Sequence, residues 1–198
     1  MRLNVTVTIA FITILSFAIS CSSVPKQTHP TYKMTDYYPM KKGYVWSYRI
    51  NTFENNLEGT SSVCTTRIID EKNGEFTLSQ GDKSFTYKID ASGYSKTKSG
   101  AYILKKPINK GSTWEIETNG MKGTAKILDN DADVTVLENK YEDCVVVEES
   151  YTGIARLIST YCPNVGLVKL EEYAILNGRE ILGNKVELLG FSRGVEQE

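Results

Sequence analysis

Residues suited to catalysis are scarce in this chain of 198 residues, which contains a single histidine, His29. It lies in a segment rich in proline and threonine. Ser-His-Asp hydrolases and Cys-His proteases use a histidine beside the nucleophile, and many transition-metal sites use histidine ligands. The composition therefore argues against both kinds of hydrolysis and against a histidine-ligated metal.

The acidic residues also form no recognised site. Residues 129–133 (DNDAD) resemble the start of a calcium loop, but an EF-hand needs glycine at its sixth position and glutamate at its twelfth. Val134 and Lys140 occupy these positions, so we predict no metal or other cofactor and expect the aspartates in a hairpin loop. The pairs at 142–143, 148–149 and 171–172 are adjacent, and neighbours on a strand point to opposite faces. We therefore predict solvated carboxylates and no enzyme.

Residues 1–21 have the pattern of a lipoprotein signal peptide. Arg2 provides a positive start, and 11 of the 15 residues from 5 to 19 are apolar. This run is shorter than the ~20 residues that span a bilayer. Its end, residues 18–21 (AISC), resembles a bacterial lipobox, with Ala18 where leucine is commoner. The resemblance implies lipidation of Cys21, including palmitate, and a membrane anchor through that lipid; the alternative is an ordinary signal peptide followed by an incidental cysteine.

Composition and charge indicate a folded, nearly neutral domain. The 23 basic and 24 acidic residues nearly cancel, so nothing indicates nucleic acid binding. We expect a signal peptide over 1–20, a lipidated tether over 21–35 and a single β-rich domain over 36–198. Ser22 follows Cys21 in place of the aspartate that retains such proteins at the inner membrane of enteric bacteria. In a cell with two membranes, that resemblance favours the outer membrane over the inner membrane or the outer cell surface.

The dominant pattern beyond residue 36 is alternation with a period of two, which is typical of strands. Tyr44, Trp46 and Tyr48 share one face of the first strand, and Phe85 and Tyr87 share one face of a later strand. Glycine-containing turns separate the runs. The predicted strands are 44–53, 61–70, 75–80, 83–90, 94–97, 101–105, 113–119, 123–129, 132–138, 142–151, 154–161, 166–176 and 179–191.

This pattern predicts an all-β fold: an antiparallel meander that forms a curved sheet, a half-barrel, a closed barrel or a sandwich. Residues 42–46 (KGYVW) recur as residues 110–114 (KGSTW), and a proline precedes each copy. Either these are two similar strand starts, or the sheet consists of two related halves.

Aromatic side chains offer one route to a binding function. They belong either to the core or to an apolar groove on an incompletely covered concave face. The residues concerned are Tyr44, Trp46, Tyr48, Phe85, Tyr87 and Trp114.

Three segments resemble a group of small bacterial envelope lipoproteins without an assigned activity. Residues 38–48 match an opening of the form Y-P-x-x-x-G-x-x-W-x-Y, and residues 161–169 (YCPNVGLVK) are similar to a Y-A-P-G-V-G-L-V-K segment. Residues 142–148 are similar to a strand of the form x-D-C-x-x-V-x. The sequence departs from the group at Cys162 and Asn164, where alanine and glycine are usual. The resemblance implies a β-rich fold and an envelope location, but no chemistry.

Cysteine spacing predicts a disulfide between Cys144 and Cys162. If the hairpin turns at Gly153, the numbers of paired residues sum to 306, and these two cysteines face each other. A shift of one residue would place them on opposite faces. Cys64 would then remain as a free thiol; the alternative is that both cysteines are buried and reduced.

Two functions are compatible with these features. The first is a non-enzymatic, lipid-anchored structural or partner-binding module of the cell envelope, with an unknown envelope protein as partner. The alternative is a carrier of a lipid or other apolar small molecule on the concave face. A hydrophobic cavity above a few hundred Å³ would favour the carrier.

Overall fold

The computed structural model describes residues 32–194. The predicted signal peptide, Cys21 and most of the predicted tether lie outside the described residues. The described part confirms the antiparallel all-β fold and contains one short helix and twelve strands. Their bounds are α1 Met34–Tyr37, β1 Val45–Glu54, β2 Leu57–Lys72, β3 Glu75–Gln80, β4 Lys83–Ile89, β5 Gly93–Lys96, β6 Tyr102–Lys105, β7 Thr113–Thr118, β8 Met121–Val136, β9 Asn139–Tyr151, β10 Ala155–Cys162, β11 Gly166–Leu176 and β12 Arg179–Ser192.

The strands form one rolled sheet. Their spatial order is β6-β5-β4-β3-β2-β1-β12-β11-β10-β9-β8-β7, so β6 and β7 are the two edges. Twelve strands spaced ~4.8 Å apart would place the edges of a flat sheet about 53 Å apart. Residues 106–112 connect these edges and can reach about 25 Å when fully extended. The sheet must therefore curl until its edges approach each other, giving a nearly closed barrel.

The gap between β6 and β7 is the seam of this barrel. In the described structure β7 pairs only with β8, and β6 only with β5. A side chain bridges the seam, because the indole Nε1–H of Trp114 on β7 donates to the carbonyl oxygen of Tyr102 on β6 at 2.8 Å. The two edges are thus linked by a side-chain hydrogen bond, whereas neighbouring strands in the rest of the sheet are joined by backbone hydrogen bonds.

The barrel consists of two related halves, β1–β6 and β7–β12. At the start of each half, a glycine N–H donates to an isoleucine carbonyl: Gly43 to Ile68 at 2.9 Å and Gly111 to Ile127 at 2.8 Å. The two glycines have φ values of 91° and 88°, a region that favours glycine. A bulge follows each isoleucine. Of the two interpretations of the repeated motif, the structure supports related halves.

The core divides into two apolar clusters, one around each tryptophan. Trp46 is 3% exposed and packs with Ile68, whereas Trp114 is 6% exposed and packs with Ile127. The first cluster contains Trp46, Ile68, Phe76, Leu78, Val136, Cys144, Cys162, Val168 and Leu188. The second contains Met34, Tyr37, Tyr94, Ile103, Leu104, Trp114, Ile116, Ala125, Ile127, Val145, Val147, Tyr151 and Tyr161.

Two sequence expectations differ from the structure. The predicted strands 123–129 and 132–138 form one strand, β8, which continues through three irregularities in its pairing with β9. The expectation that Asp129 and its neighbours lie in a hairpin loop is therefore wrong, because bulges absorb the extra residues without ending the strand. Met34 belongs to the buried core, so the packed part of the chain begins before residue 36.

The one helix in the described range has four residues. Within residues 32–194 there is no helix that is long and apolar enough to cross a membrane.

Candidate binding cleft at the seam

A cleft of about 940 Å³ opens at the lower end of the seam, where the β7–β8 turn lies. One wall comes from β4, β5 and the turn after β5, and the other comes from β7 and the β7–β8 turn. We call it the seam cleft, and its lining residues are Ser84, Phe85, Thr86, Tyr87, Lys96, Lys98, Ser99, Glu117, Thr118, Asn119 and Gly120.

The seam cleft exists because the last hairpin of the first half is short. Strands β5 and β6 have four residues each, whereas their counterparts β11 and β12 have 11 and 14. Strand β5 covers β4 only from Tyr87 to Ile89. Residues 83–86 of β4 therefore have no strand partner on the seam side within the described structure. The β5–β6 hairpin is thus too short to fill the space that the β11–β12 hairpin fills in the second half.

The walls combine an apolar surface with charges of opposite sign. Phe85 is 40% exposed, and Tyr87 lies beside it with a pKa raised by burial. Lys96 and Lys98 belong to the first wall and Glu117 to the second. An occupant could therefore make apolar contacts with Phe85 and form ion pairs of opposite sign on its two sides.

A hydrogen-bonded chain runs inward from the cleft. The hydroxyls of Thr118 and Tyr151 lie 3.2 Å apart, and the Tyr151 hydroxyl donates to a carboxylate oxygen of Glu149 at 3.0 Å. Burial, with the nearby Glu149, raises the pKa of Tyr151 against the opposing effect of Thr118. Glu149 is buried, so the prediction of a solvated carboxylate is wrong for this residue, whereas its neighbour Glu148 binds Arg156. These adjacent carboxylates therefore have separate partners, and in residues 32–194 no group of three or more histidine, cysteine or acidic residues could hold a metal ion.

The structure separates the six aromatic residues that the sequence singled out. Phe85 and Tyr87 line the seam cleft. Trp46 and Trp114 are buried in the core, and Tyr44 makes edge contacts with Trp46 and Phe191. The hydroxyl of Tyr48 donates to the carbonyl of Leu167 at 3.2 Å. The seam cleft therefore takes only two of the six.

Sequence reasoning missed the polar lining of the cleft. Lys96, Lys98, Glu117 and Thr118 carry no motif and follow no distinctive spacing. The one available signal was length, because turn residues at 99–100 follow β5 so closely that the hairpin must be short. The short length of this hairpin indicates a cleft only when it is compared with the longer β11–β12 hairpin of the second half.

The segments that carry the family resemblance meet in space. The indole Nε1–H of Trp46 donates to the carbonyl of Val165 at 2.7 Å, and the hydroxyl of Tyr48 donates to the carbonyl of Leu167 at 3.2 Å. These contacts join residues about 120 positions apart in the chain. The motifs therefore hold the fold together, and they lie outside the lining of the seam cleft.

The cysteines occupy the positions that the predicted register gives them. Strand β9 pairs with β10 from Ala155 opposite Tyr151, and Cys144 and Cys162 form a disulfide with a Cα–Cα distance of 4.2 Å. Cys64 has a free thiol and accepts a hydrogen bond from the side-chain amide of Gln80 at 2.6 Å. The disulfide belongs to the first core cluster.

Comparisons with known proteins yield distant structural neighbours. No family model matches the chain, and no curated protein matches it. A Bacteroides fragilis protein described as exported and as having a YmcC-like fold has 12% identity and a TM-score of 0.44, over 77% of this chain and 97% of its own. A Parabacteroides distasonis protein described as a lipoprotein has 11% identity and a TM-score of 0.39, over 79% of this chain and 98% of its own.

Proposed function

We propose that this protein is a non-enzymatic, lipid-anchored protein of the bacterial cell envelope that binds a partner protein in the seam cleft. The observation that carries the proposal is the cleft itself, which lies where β5 and β6 are shorter than their counterparts β11 and β12. Its volume of about 940 Å³ lies within the range of specific binding pockets. Cys21 would carry the anchor, with the outer membrane as the destination.

The lining of the seam cleft favours a polypeptide over a purely apolar ligand. Strand β7 has an unpaired edge on one side of the cleft, and residues 83–86 of β4 have no strand partner on the other side. Lysines face the cleft from one wall and Glu117 from the other. A lipid chain would leave these charges without partners, whereas a polypeptide can supply both side-chain charges and backbone groups. Exposed strand edges are also a common template for protein association.

The intact mass of the protein from native membranes tests the anchor. We expect a chain that begins at Cys21 and carries diacylglycerol and an acyl group, and a Cys21→Ser variant without acyl groups. A free amino terminus after Cys21, or an uncleaved chain, would contradict the anchor and leave the cleft to be tested separately.

Site-specific photocrosslinking in living cells tests the binding site. A photoreactive residue replaces Phe85 in the cleft or, as the matched control, Val63, which is 69% exposed on β2 and does not line the cleft. We expect one discrete crosslinked protein from position 85 and none from 63, with the crosslink lost in the background Ser99→Trp that fills the cleft. Equal crosslinking from both positions would contradict the proposal.

A carrier of a lipid or other apolar molecule is the second candidate, because Phe85 and Tyr87 give the cleft an apolar floor. Native mass spectrometry of the purified protein distinguishes the two functions. A stoichiometric lipid that is lost in Phe85→Arg would favour the carrier. The principal proposal expects no such adduct.

A further inference from the structure

Strand β7 presents unpaired backbone groups to the seam. Its turn to β8 has two residues, Asn119 and Gly120, both with positive φ, and Thr118 pairs with Met121 across it. In such a hairpin the flanking pair exchanges both backbone hydrogen bonds. Alternate residues therefore bond to β8, and the N–H and C=O groups of the residues between them, Glu115 and Glu117, point into the seam.

Strand β4 presents a second edge on the opposite wall. The carbonyl of Thr86 accepts a hydrogen bond from the N–H of Thr97 at 3.0 Å, so this residue directs its backbone groups toward the seam side. By the same alternation Ser84 does so as well, beyond the end of the pairing with β5. Backbone donors and acceptors therefore line both sides of the seam cleft.

The second half shows what fills the equivalent space. Strand β12 pairs antiparallel with β1 through eight residue pairs, from Val45 opposite Ser192 to Thr52 opposite Asn184. Strand β7 is the counterpart of β1, and β6 is the counterpart of β12. Strand β6 ends after four residues and does not pair with β7. Strand β7 therefore lacks the antiparallel partner that β1 has in β12.

We propose that the occupant of the seam cleft is an extended segment of the partner polypeptide, which adds to β7 as an antiparallel strand. This inference rests on the proposed function and specifies how the partner binds. The backbone groups of Glu115 and Glu117 supply the hydrogen bonds, as in other complexes formed by strand addition. Lys96 and Lys98 select acidic side chains on the far side of the added strand, and Glu117 selects basic side chains near β7.

A second copy of this chain is a poorer occupant than a different polypeptide. Antiparallel pairing of two β7 strands about Ile116 would place Glu115 of one copy opposite Glu117 of the other. Like charges directly opposite each other destabilise a strand pair. The charge pattern of β7 therefore disfavours self-association through this edge.

A displayed library of random twelve-residue peptides, selected against the mature protein, provides the probe. We expect enriched peptides with acidic residues at alternate positions. Methylation of single peptide nitrogens should weaken binding at least tenfold at every second position and leave the intervening positions unchanged, because only alternate amides of an added strand face β7. Helical or purely side-chain binding does not produce this period of two.

Substitutions in the protein provide the matched controls. Glu117→Pro removes one backbone donor from the seam edge, where proline is tolerated in strands, and should weaken binding at least tenfold. Glu117→Gln keeps that donor and removes only the charge, so it should retain the period of two and lose the preference for basic side chains near β7. Glu115→Pro removes the other backbone donor that β7 directs into the seam, and it repeats the test if Glu117→Pro lowers the melting temperature.

The outcomes separate the mode of binding from the proposed function. Failure to enrich any peptide, or binding that shows no alternation and is unaffected by Glu117→Pro, would overturn strand addition. Crosslinking from position 85 together with either result would leave partner binding in the cleft intact. Absence of a crosslink from position 85 in the protein without Ser99→Trp would overturn both strand addition and partner binding in the cleft.

Discussion

Trp46 and Trp114 occupy equivalent positions in the two halves of the barrel, and each indole N–H donates to a backbone carbonyl across a boundary between the halves. Trp46 bonds to Val165 at 2.7 Å and Trp114 to Tyr102 at 2.8 Å. Each tryptophan thus contributes both to its own apolar cluster and to the contact between the halves. The pair explains why the repeated motif ends in tryptophan, because other apolar residues could fill the core without donating this bond.

Replacing either tryptophan by phenylalanine should lower the free energy of unfolding by about 1–3 kcal/mol, because a partly buried carbonyl loses its donor. Truncation to alanine should cost roughly 3–5 kcal/mol. Denaturant titration of Trp46→Phe and Trp114→Phe checks this expectation. Unchanged unfolding midpoints in both variants would show that the indole bonds do not join the halves.

Gly93 should tolerate no side chain, because a Cβ atom there would collide with the carbonyl oxygen of Leu104 on the neighbouring strand. Gly93→Ala should separate β5 from β6 and lower the melting temperature by several degrees. Gly190 is the matched control, since a Cβ atom added there would have no heavy atom within 4 Å outside its chain neighbours. Differential scanning calorimetry should show little change for Gly190→Ala, and an equal loss in both variants would refute the collision.

The disulfide closes a loop with a sequence separation of 18. Replacing both Cys144 and Cys162 by alanine should lower the free energy of unfolding by about 3 kcal/mol, because the unfolded chain regains the entropy of an open loop. Cys64→Ala is the control and should have a smaller effect. Non-reducing peptide mapping should find a linked peptide with Cys144 and Cys162; free thiols at both, or a linkage to Cys64, would contradict the pairing.

Glu187 should make stability depend on pH. Burial alone would raise the pKa of its carboxyl group, but hydrogen bonds from Arg49 and Lys185, at 2.9 and 2.7 Å, hold that pKa below the ordinary value of 4.5. Its contribution is therefore fully present above pH 4.5 and is lost as the pH falls through the lower folded-state pKa. Glu187→Gln should destabilise the protein by about 1–3 kcal/mol at pH 7.

The difference between Glu187→Gln and the wild type should shrink in unfolding experiments below pH 4. Glu180→Gln is the control, because Glu180 binds Arg156 at the surface and is 45% exposed. Exposed ion pairs contribute only about 0–1 kcal/mol. A constant difference between Glu187→Gln and the wild type from pH 3 to pH 7 would contradict the assigned role of the charge.

Local patterns in the sequence are sufficient to predict most of the sheet. Alternation and two-residue turns are short-range properties, so the β9–β10 register that brings Cys144 opposite Cys162 follows from the position of Gly153. Bulges are harder to predict from sequence, because an extra residue in β8 breaks the alternation without ending the strand. The packing of Met34 also depends on distant strands, which local periodicity does not encode.

The seam cleft could not be predicted from its own residues. It arises because residues 106–112 bring the two edges of the sheet together while β5 and β6 are too short to fill the space between β4 and β7. Lys98 and Glu117 therefore become neighbours of one cleft only through the closure of the whole barrel. Alternation alone singles out Phe85, and its exposure follows from the same missing strand length.

Hydrogen exchange at β7 tests the central claim most directly. The exchange of peptides covering Thr113–Thr118 is compared between the purified protein and membrane vesicles from cells that express it, with Val45–Glu54 of β1 as the internal control because β1 is paired on both sides. An occupied seam cleft predicts slower exchange of β7 in the vesicles and no change in β1. Equal exchange of β7 in both preparations would contradict the binding of a partner at this edge.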